Sequence, residues 1–239
     1  FFKKRKSQIR DKYMLPEFIK SFKGLFPVKF KTYFKKFRKS NGYDGLDKKM
    51  LKYINFRNGF YIECGANDGV NQSNTWYFEK KLAWHGLLIE PIDKVFKELK
   101  KNRSDKNFFY KRALRSFNCK KKNVELKLNI HDTLSTRSTT DNIVNRVTIK
   151  VKSANLNFIL NKIKAPKIID FFSLDVEGDE FQVLKGVNFN KYNFRYILVE
   201  TYELDKLKKF LNKYGYKYEK KMSNRNDYLF KFIKKKTKN

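Results

Sequence analysis

"FYIECGANDG", Phe60 to Gly69, is an apolar run that stops on an acid and passes at once into small and polar residues. Phe60–Glu63 reads as a buried strand, and Gly65 and Gly69 stand four apart in the turn behind it. A turn needs one glycine. Two of them, behind a buried acid, predict that a ligand lies close against the backbone. "HGLLIEP", His85 to Pro91, repeats the arrangement with a second buried strand ending on Glu90. A helix capped by Ser73 or Asn74 and running to about Leu82 separates the two strands, with Phe78 and Leu82 on one face. A second helix, Asp93 to Asn102, is expected to be capped by Asp93.

The same alternation continues along the chain. "NFFYKRAL", Asn107 to Leu114, reads as a third strand, and residues 115–145 read as irregular and polar. "VTIKVKS", Val147 to Ser153, alternates like a strand, and Asn155–Ile163 reads as a helix. Two strongly apolar strands follow, Ile168–Leu174 within "KIIDFFSLDVEGDE" and Phe194–Glu200 within "FRYILVETY". A helix at Asp205–Tyr214 leads to two closing strands, around Tyr216–Lys220 and Asp227–Phe232, joined by the polar turn Ser223–Asn226. Continuously apolar strands are buried on both faces, and helices between them make the sheet parallel. The expected fold is therefore α/β: a doubly wound, mostly parallel, Rossmann-like sheet. An antiparallel C-terminal hairpin closes it, and a basic helical N-terminal extension precedes it. No internal repeat is visible.

A chain of 239 residues buries about 70–75% of its unfolded surface and needs no staples. Its two cysteines, Cys64 and Cys119, make neither a disulfide framework nor a zinc motif. A cytoplasmic, reducing location is the expectation. No run of 18 apolar residues is present, lysines interrupt any signal-like stretch, and the first residue is Phe, which reads as a fragment. The net charge is +32. That favours polyanionic partners, but Lys, Asn, Phe, Tyr and Ile also share AT-rich codons, and the charge is spread along the chain. Residues 1–45 form the N-terminal extension, in which Phe30, Tyr33, Phe34 and Phe37 make an apolar stripe broken by Pro16 and Pro27. Three readings stand open for it: a helix docked on residues 46–239, a helix lying peripherally on an anionic membrane surface, or a basic arm for nucleic acid.

Ligands bind parallel sheets at the carboxyl edge of the strands. Four expected strands each end there on acids: Glu63, Glu90, Asp175 with Glu177, and Glu200. In a chain with only 24 acids this is more than solvation explains. An acid closing the second strand accepts the hydroxyls of a ribose. The turn is not GxGxxG, and Asp68 stands where a pyrophosphate would be repelled. A nucleoside without phosphate, such as S-adenosylmethionine, fits better than a dinucleotide.

"FYIECGANDGVNQSNTWYFEKKLAWHGLLIEP", then "FKELKKNR", then "IDFFSLDVEGDEFQVLKGV", resembles the FkbM-type methyltransferases, from about Phe60 to Phe230. The resemblance implies a class I, S-adenosylmethionine-dependent enzyme over residues 46–239, one that forms O-methyl groups on a sugar, glycan or small-molecule hydroxyl. It implies that Glu63, Gly65, Asn67 and Gly69 line the methionine part of the cofactor. Glu90 would hold the ribose, with Pro91 and Ile92 beside the adenine. Arg112, Ala113 and Leu114 would lie near the adenine edge, and Asp175 and Glu177 would face the methyl group. Residues 115–145 match poorly and are expected to set substrate choice.

A hydroxyl acceptor needs a base as the bond forms. Asp175 and Glu177, two apart on an extended chain, would point the same way and serve one site. A divalent cation on Asp175, Glu177 and Glu200 is the alternative, and capping of the loop by Asp175 with amide binding by Glu177 is the structural one. His131, in "NIHDTLSTRSTT", stands as a further candidate base or as a surface residue. A nucleic-acid methyltransferase is favoured by the charge. It is opposed by L-D-V-E-G where an Asn-Pro-Pro-Tyr-type site would stand, and nucleic acid is not the expected partner. A non-catalytic basic nucleic-acid-binding module and an NAD-dependent oxidoreductase are the remaining alternatives. The sequence carries no signal of oligomeric state.

Overall fold

The computed structural model describes residues 40–129 and 146–233. Seven strands form the main sheet: β1 Phe60–Cys64, β2 His85–Ile89, β3 Phe108–Tyr110, β7 Ile168–Leu174, β8 Asn193–Glu200, β9 Tyr216–Lys221 and β10 Asp227–Phe232. Their order is β3-β2-β1-β7-β8-β10-β9. β10 runs antiparallel to both its neighbours, while β1, β2, β3, β7 and β8 are parallel. This is the doubly wound α/β arrangement expected, with the C-terminal hairpin in place.

Both faces of the sheet are covered. On one face, Leu156, Ile159 and Leu160 of α4 (Leu156–Lys162), Val183 and Leu184 of α5 (Glu180–Leu184) and Leu207 and Leu211 of α6 (Leu204–Asn212) pack on Ile62, Leu87, Phe172 and Ile197. On the other, Leu46 and Met50 of α1 (Leu46–Met50), Phe78 of α2 (Trp76–Leu82) and Leu99 of α3 (Asp93–Asn102) pack on Tyr61, Leu88, Phe171 and Leu198. Strands buried on both faces explain why their sequences are continuously apolar rather than alternating. In α3 the i, i+4 pair Val95 and Leu99 faces the sheet while the lysines face water.

The expected third strand is two. Its end, β4 Ala113–Leu114, leaves the main sheet and pairs parallel with β6 Arg146–Ala154. β6 also pairs antiparallel with β5 Asn123–Asn129, so the stretch expected to be irregular contributes a strand to a separate three-stranded sheet. Two expected caps also differ. Asp93 is the first residue of α3 rather than its cap, and its carboxylate pairs with Lys97 and Lys111. Thr75 occupies the cap position of α2, while the Ser73 hydroxyl accepts the Trp76 N–H at 3.1 Å. Asn155 caps α4 as a cap should, its side chain accepting the Phe158 N–H at 2.7 Å.

Candidate active site

A cavity opens at the carboxyl ends of β1, β2 and β7. Gly65, Asn67 and Ser73 line it from the turn after β1. Glu90, Pro91 and Ile92 line it from the end of β2, and Arg112, Ala113 and Leu114 from around β4. Asp175, Val176, Glu177 and Asp179 complete it after β7. Four carboxylates and one guanidinium thus face a single cavity in a chain of charge +32. Such a wall suits a cationic or hydroxyl-bearing ligand better than a phosphate.

Glu90 is buried, and both of its carboxylate oxygens already hold backbone amides: Ile92 N–H at 2.9 Å and Asn67 N–H at 3.1 Å. Burial raises its pKa to about 7, against the pull of those two amides. Asn67 reaches Glu90 because it adopts a left-handed backbone, φ 50°.

Glu63 goes elsewhere. Successive strand residues face opposite sides, and Glu63 shares the side of Tyr61, away from the cavity wall. Its carboxylate accepts from Asn74 N–H at 2.6 Å, Thr75 Oγ1 at 2.6 Å and Ser73 Oγ at 2.9 Å. Arg103, fully buried, closes this network. Its Nη1 reaches Glu63 and the Gly69 carbonyl at 3.2 Å, its Nε donates to Glu79 at 2.6 Å, and its Nη2 donates to the Tyr61 hydroxyl at 2.7 Å and to Thr75. Burial opposes the Arg103 charge, but Tyr61, Glu63 and Glu79 outweigh it and hold the proton more tightly. Glu79, despite its burial, is lowered to about 2 by Arg103. Glu63 thus anchors the turn to the start of α2 and is not part of the cavity wall.

The two glycines also make room for the protein itself. A Cβ on Gly65, φ +75°, would lie 1.7 Å from the Asp175 carbonyl oxygen. A Cβ on Gly69, φ +77°, would lie 2.7 Å from Arg103 Cγ and Leu99 Cδ1. Gly65 is still in the cavity wall; Gly69 is behind it.

After β7 the chain leaves the extended state, so the pleat does not align Asp175 with Glu177. Glu177 has a left-handed backbone, φ 57°, and Gly178 follows at φ 108°. Buried Glu180 holds this loop by accepting Gly178 N–H at 2.9 Å and Val176 N–H at 3.3 Å. Asp175 is half-buried and has Glu200 as a neighbour. Burial first, then the charges of Glu200, Glu177 and Asp227, raise its proton affinity well above the usual carboxylate range. Among the described residues no three His, Cys, Asp or Glu side chains are arranged to hold a metal ion. Cys64 also borders the cavity, and burial raises its thiol pKa well above the ordinary value, which argues against a thiolate there. His131 lies outside the described residues.

Arg103 and Glu180 were not singled out in the sequence. Arg103 follows α3 by one residue and looks like one more surface cation. Glu180 follows Gly178 and Asp179 and looks like a helix-start acid.

The strand order, with an antiparallel strand between β8 and β9, is that of the class I methyltransferases. Residues 63–218 match the family model described as the methyltransferase FkbM domain. The chain belongs to the FkbM methyltransferase family. Among solved structures, it is similar to the METTL16 methyltransferase domain at 15% identity and a TM-score of 0.46, over 79% of this chain and 65% of that one. It is similar to an FkbM methyltransferase from Methylobacillus flagellatus KT at 13% identity and a TM-score of 0.48, over 76% of this chain and 45% of that one. A ribosomal protein L11 methylase from Lactobacillus delbrueckii subsp. bulgaricus matches at 10% identity and a TM-score of 0.43, over 81% of this chain and 78% of that one. The FkbM-family chain spans less than two thirds of the first two. No curated protein matches it significantly.

Membership of the family implies S-adenosylmethionine, and the cavity of this FkbM-family chain fits it. Glu90 offers a buried carboxylate with no cationic partner, and the wall has no cluster of cations for a pyrophosphate. No described helix is long and apolar enough to cross a membrane.

Proposed function

We propose that this FkbM-family chain methylates a hydroxyl group of a sugar, glycan or small-molecule acceptor. The observation that carries this reading is Asp175, a cavity carboxyl whose proton affinity is raised by burial and by Glu200, Glu177 and Asp227. A base of raised pKa takes the proton of a hydroxyl more readily than an ordinary carboxylate does. When bound, S-adenosylmethionine supplies an electrophilic methyl group on a sulfonium. Glu90 accepts the ribose hydroxyls, and the Asn67 and Ile92 amides hold its carboxylate in place. Gly65, Pro91, Ile92 and Ala113 give the close apolar and backbone wall for the rest of the nucleoside. With the cofactor bound, the carboxylate of Asp175 would accept the acceptor's proton as the oxygen–carbon bond forms and the carbon–sulfur bond breaks, and neighbouring Glu200 strengthens the hold of Asp175 on that proton. Glu177 faces the same volume and contributes negative charge toward the sulfonium. Alignment of acceptor and methyl donor then provides the remaining acceleration.

The test has two stages. Calorimetry with S-adenosylhomocysteine on the wild type and on Glu90→Ala should show micromolar binding, weakened about tenfold or more by the substitution, about 1.4 kcal/mol. Screening of glycan acceptors with labelled cofactor should then give a product whose formation Asp175→Asn abolishes while cofactor binding is kept. Near-full turnover in both Asp175→Asn and Glu177→Gln would defeat the acid–base assignment.

A further inference from the structure

Acids gather at one end of the strand axis. The carboxyl edge of the sheet carries Glu90, Asp175, Glu177, Glu200 and Asp227, with Lys111, Arg112, Arg115 and Arg225 among them. The amino edge is the reverse. Exposed Arg57, Lys106, Lys167 and Lys191 stand in the segments leading into β1, β3, β7 and β8, and exposed Lys231 stands near the end of antiparallel β10. In the described segments 52–59, 83–84, 103–107, 163–167, 185–192 and 213–215, the only acid is Asp105.

That same edge collects large apolar side chains in water. Phe56 is 42% exposed, Phe108 38%, Ile168 54% and Ile233 60%, half of the exposed large hydrophobics among the described residues. They follow the sheet order from β3 through β1 and β7 to β10. Phe56 and Ile168 border one shallow hollow with Tyr53 and Phe232, and Arg195 and Lys231 stand at its rim. Arg195 is paired with Asp170 at 2.8 Å, while Lys231, Lys167, Lys106 and Arg57 have no acidic partner among the described residues. Scattered exposed apolar residues need no explanation, whereas a row of them flanked mainly by cations marks an interaction surface.

We propose that this amino edge is a docking surface for an anionic lipid bilayer. A bilayer fits both parts of the pattern: lysines and arginines meet anionic headgroups, while phenylalanine and isoleucine side chains enter the interfacial layer. Phe56 and Phe108 offer rings to a nucleic acid, but aliphatic Ile168 and Ile233, half of the row, give it nothing to stack on, and a second copy of the chain would set cations against cations. This surface is at the opposite edge of the sheet from the cofactor cavity. The strands hold it about 20 Å from the carboxyl edge, at about 3.3 Å per residue.

The full chain should be centrifuged with vesicles of phosphatidylcholine, with and without phosphatidylglycerol. Two double variants test the edge: Phe56→Ser with Ile168→Ser, and Lys106→Gln with Lys167→Gln. The wild type should partition onto the anionic vesicles only. Each neutralised lysine should weaken partitioning about fivefold, and the apolar pair should weaken it at least as much. Residues 1–39 are unchanged in every variant, so a difference reports the edge itself. S-adenosylhomocysteine binding should be unchanged in the lysine variant, whose substitutions lie on the opposite edge. Wild-type partitioning by both variants would overturn the proposal, as would binding to single-stranded RNA that the lysine pair abolishes while vesicle binding stays intact.

Discussion

Glu63 and Glu90 look equivalent in the sequence, each an acid behind an apolar run, yet Glu63 lies inside β1 level with Leu88 while Glu90 follows the end of β2, and they belong to two different regions of the molecule. Glu63 faces Arg103, Ser73, Asn74 and Thr75 and is absorbed into the scaffold. Glu90 faces the cavity, meets only two backbone amides, and has its pKa raised to about 7. The difference lies in the partner. Glu63 is charge-balanced by a guanidinium, while Glu90 has no cation among its partners and is left for a ligand. A carboxylate built to bind retains an unfavourable burial that a carboxylate built to brace has resolved.

Breaking the scaffold side should have the largest effect. Arg103→Ala leaves Glu63 buried without its cation and Glu79 with Lys80 alone, and losing one partner of a buried ion network typically costs about 3–5 kcal/mol. Urea denaturation should show that loss. Arg103→Lys, which keeps the charge but not the five-donor fork, should recover only part of it. If Arg103→Ala unfolds at the wild-type midpoint, Glu63 is not balanced in the way described.

Next comes the seam between the two regions. Gly65→Ala combines φ +75° with a Cβ placed 1.7 Å from the Asp175 carbonyl oxygen. The turn after β1 and the loop after β7 must then separate. A loss of about 2 kcal/mol or more is expected from strain and displacement together, along with loss of S-adenosylhomocysteine binding. Gly178→Ala is the useful contrast: a Cβ there meets nothing within 4 Å, so only the φ of 108° opposes it. Its folding cost should be the smaller of the two, read as the shift in thermal midpoint.

The comparison also marks what a sequence can disclose. β1, β2, β7 and β8 were legible because burial on both faces writes itself as an unbroken apolar run. β5 was not, because Asn123–Asn129 alternates lysine and glutamate with half-buried Val124 and Leu126 and resembles a polar loop. Its partner β6 alternates in the same way, so the pair was signalled by the pattern that had already identified one of them. The break between β3 and β4 was hidden because pairing with β6 comes from a segment far along the chain. The glycines announced that a Cβ is forbidden, but not that the obstacle is Asp175 in one case and Arg103 in the other. Glu63 and Glu90 looked alike because the residue that separates their roles, Arg103, is 40 positions from one of them. Most of the expected cavity wall, Gly65, Asn67, Glu90, Pro91, Ile92, Ala113, Asp175 and Glu177, does converge, since strand-end position alone brings it to one edge.

The effect on ligand binding is the smallest expected, and it is the sharpest on Glu90. In the folded chain Glu90 takes up its proton at about 7, against 4.5 for an ordinary glutamate. Between those values the folded state binds more protons than the unfolded one, so this residue's contribution to stability is fully present at the acid end. It is lost as pH rises through about 7. Ligand binding runs the other way. Ribose hydroxyls donate to the ionised carboxylate, so S-adenosylhomocysteine affinity should rise as pH climbs through about 7 and level off above it. Glu90→Gln has no proton to exchange there. Its binding should be weaker at high pH and nearly flat across the range, and its stability should lose the wild type's decline over the same interval. A bracing carboxylate with a cation beside it would give neither signature. Calorimetric titration across that pH range therefore distinguishes a ligand-holding Glu90 from a second Glu63: a wild-type profile as flat as that of Glu90→Gln would place Glu90 with the scaffold.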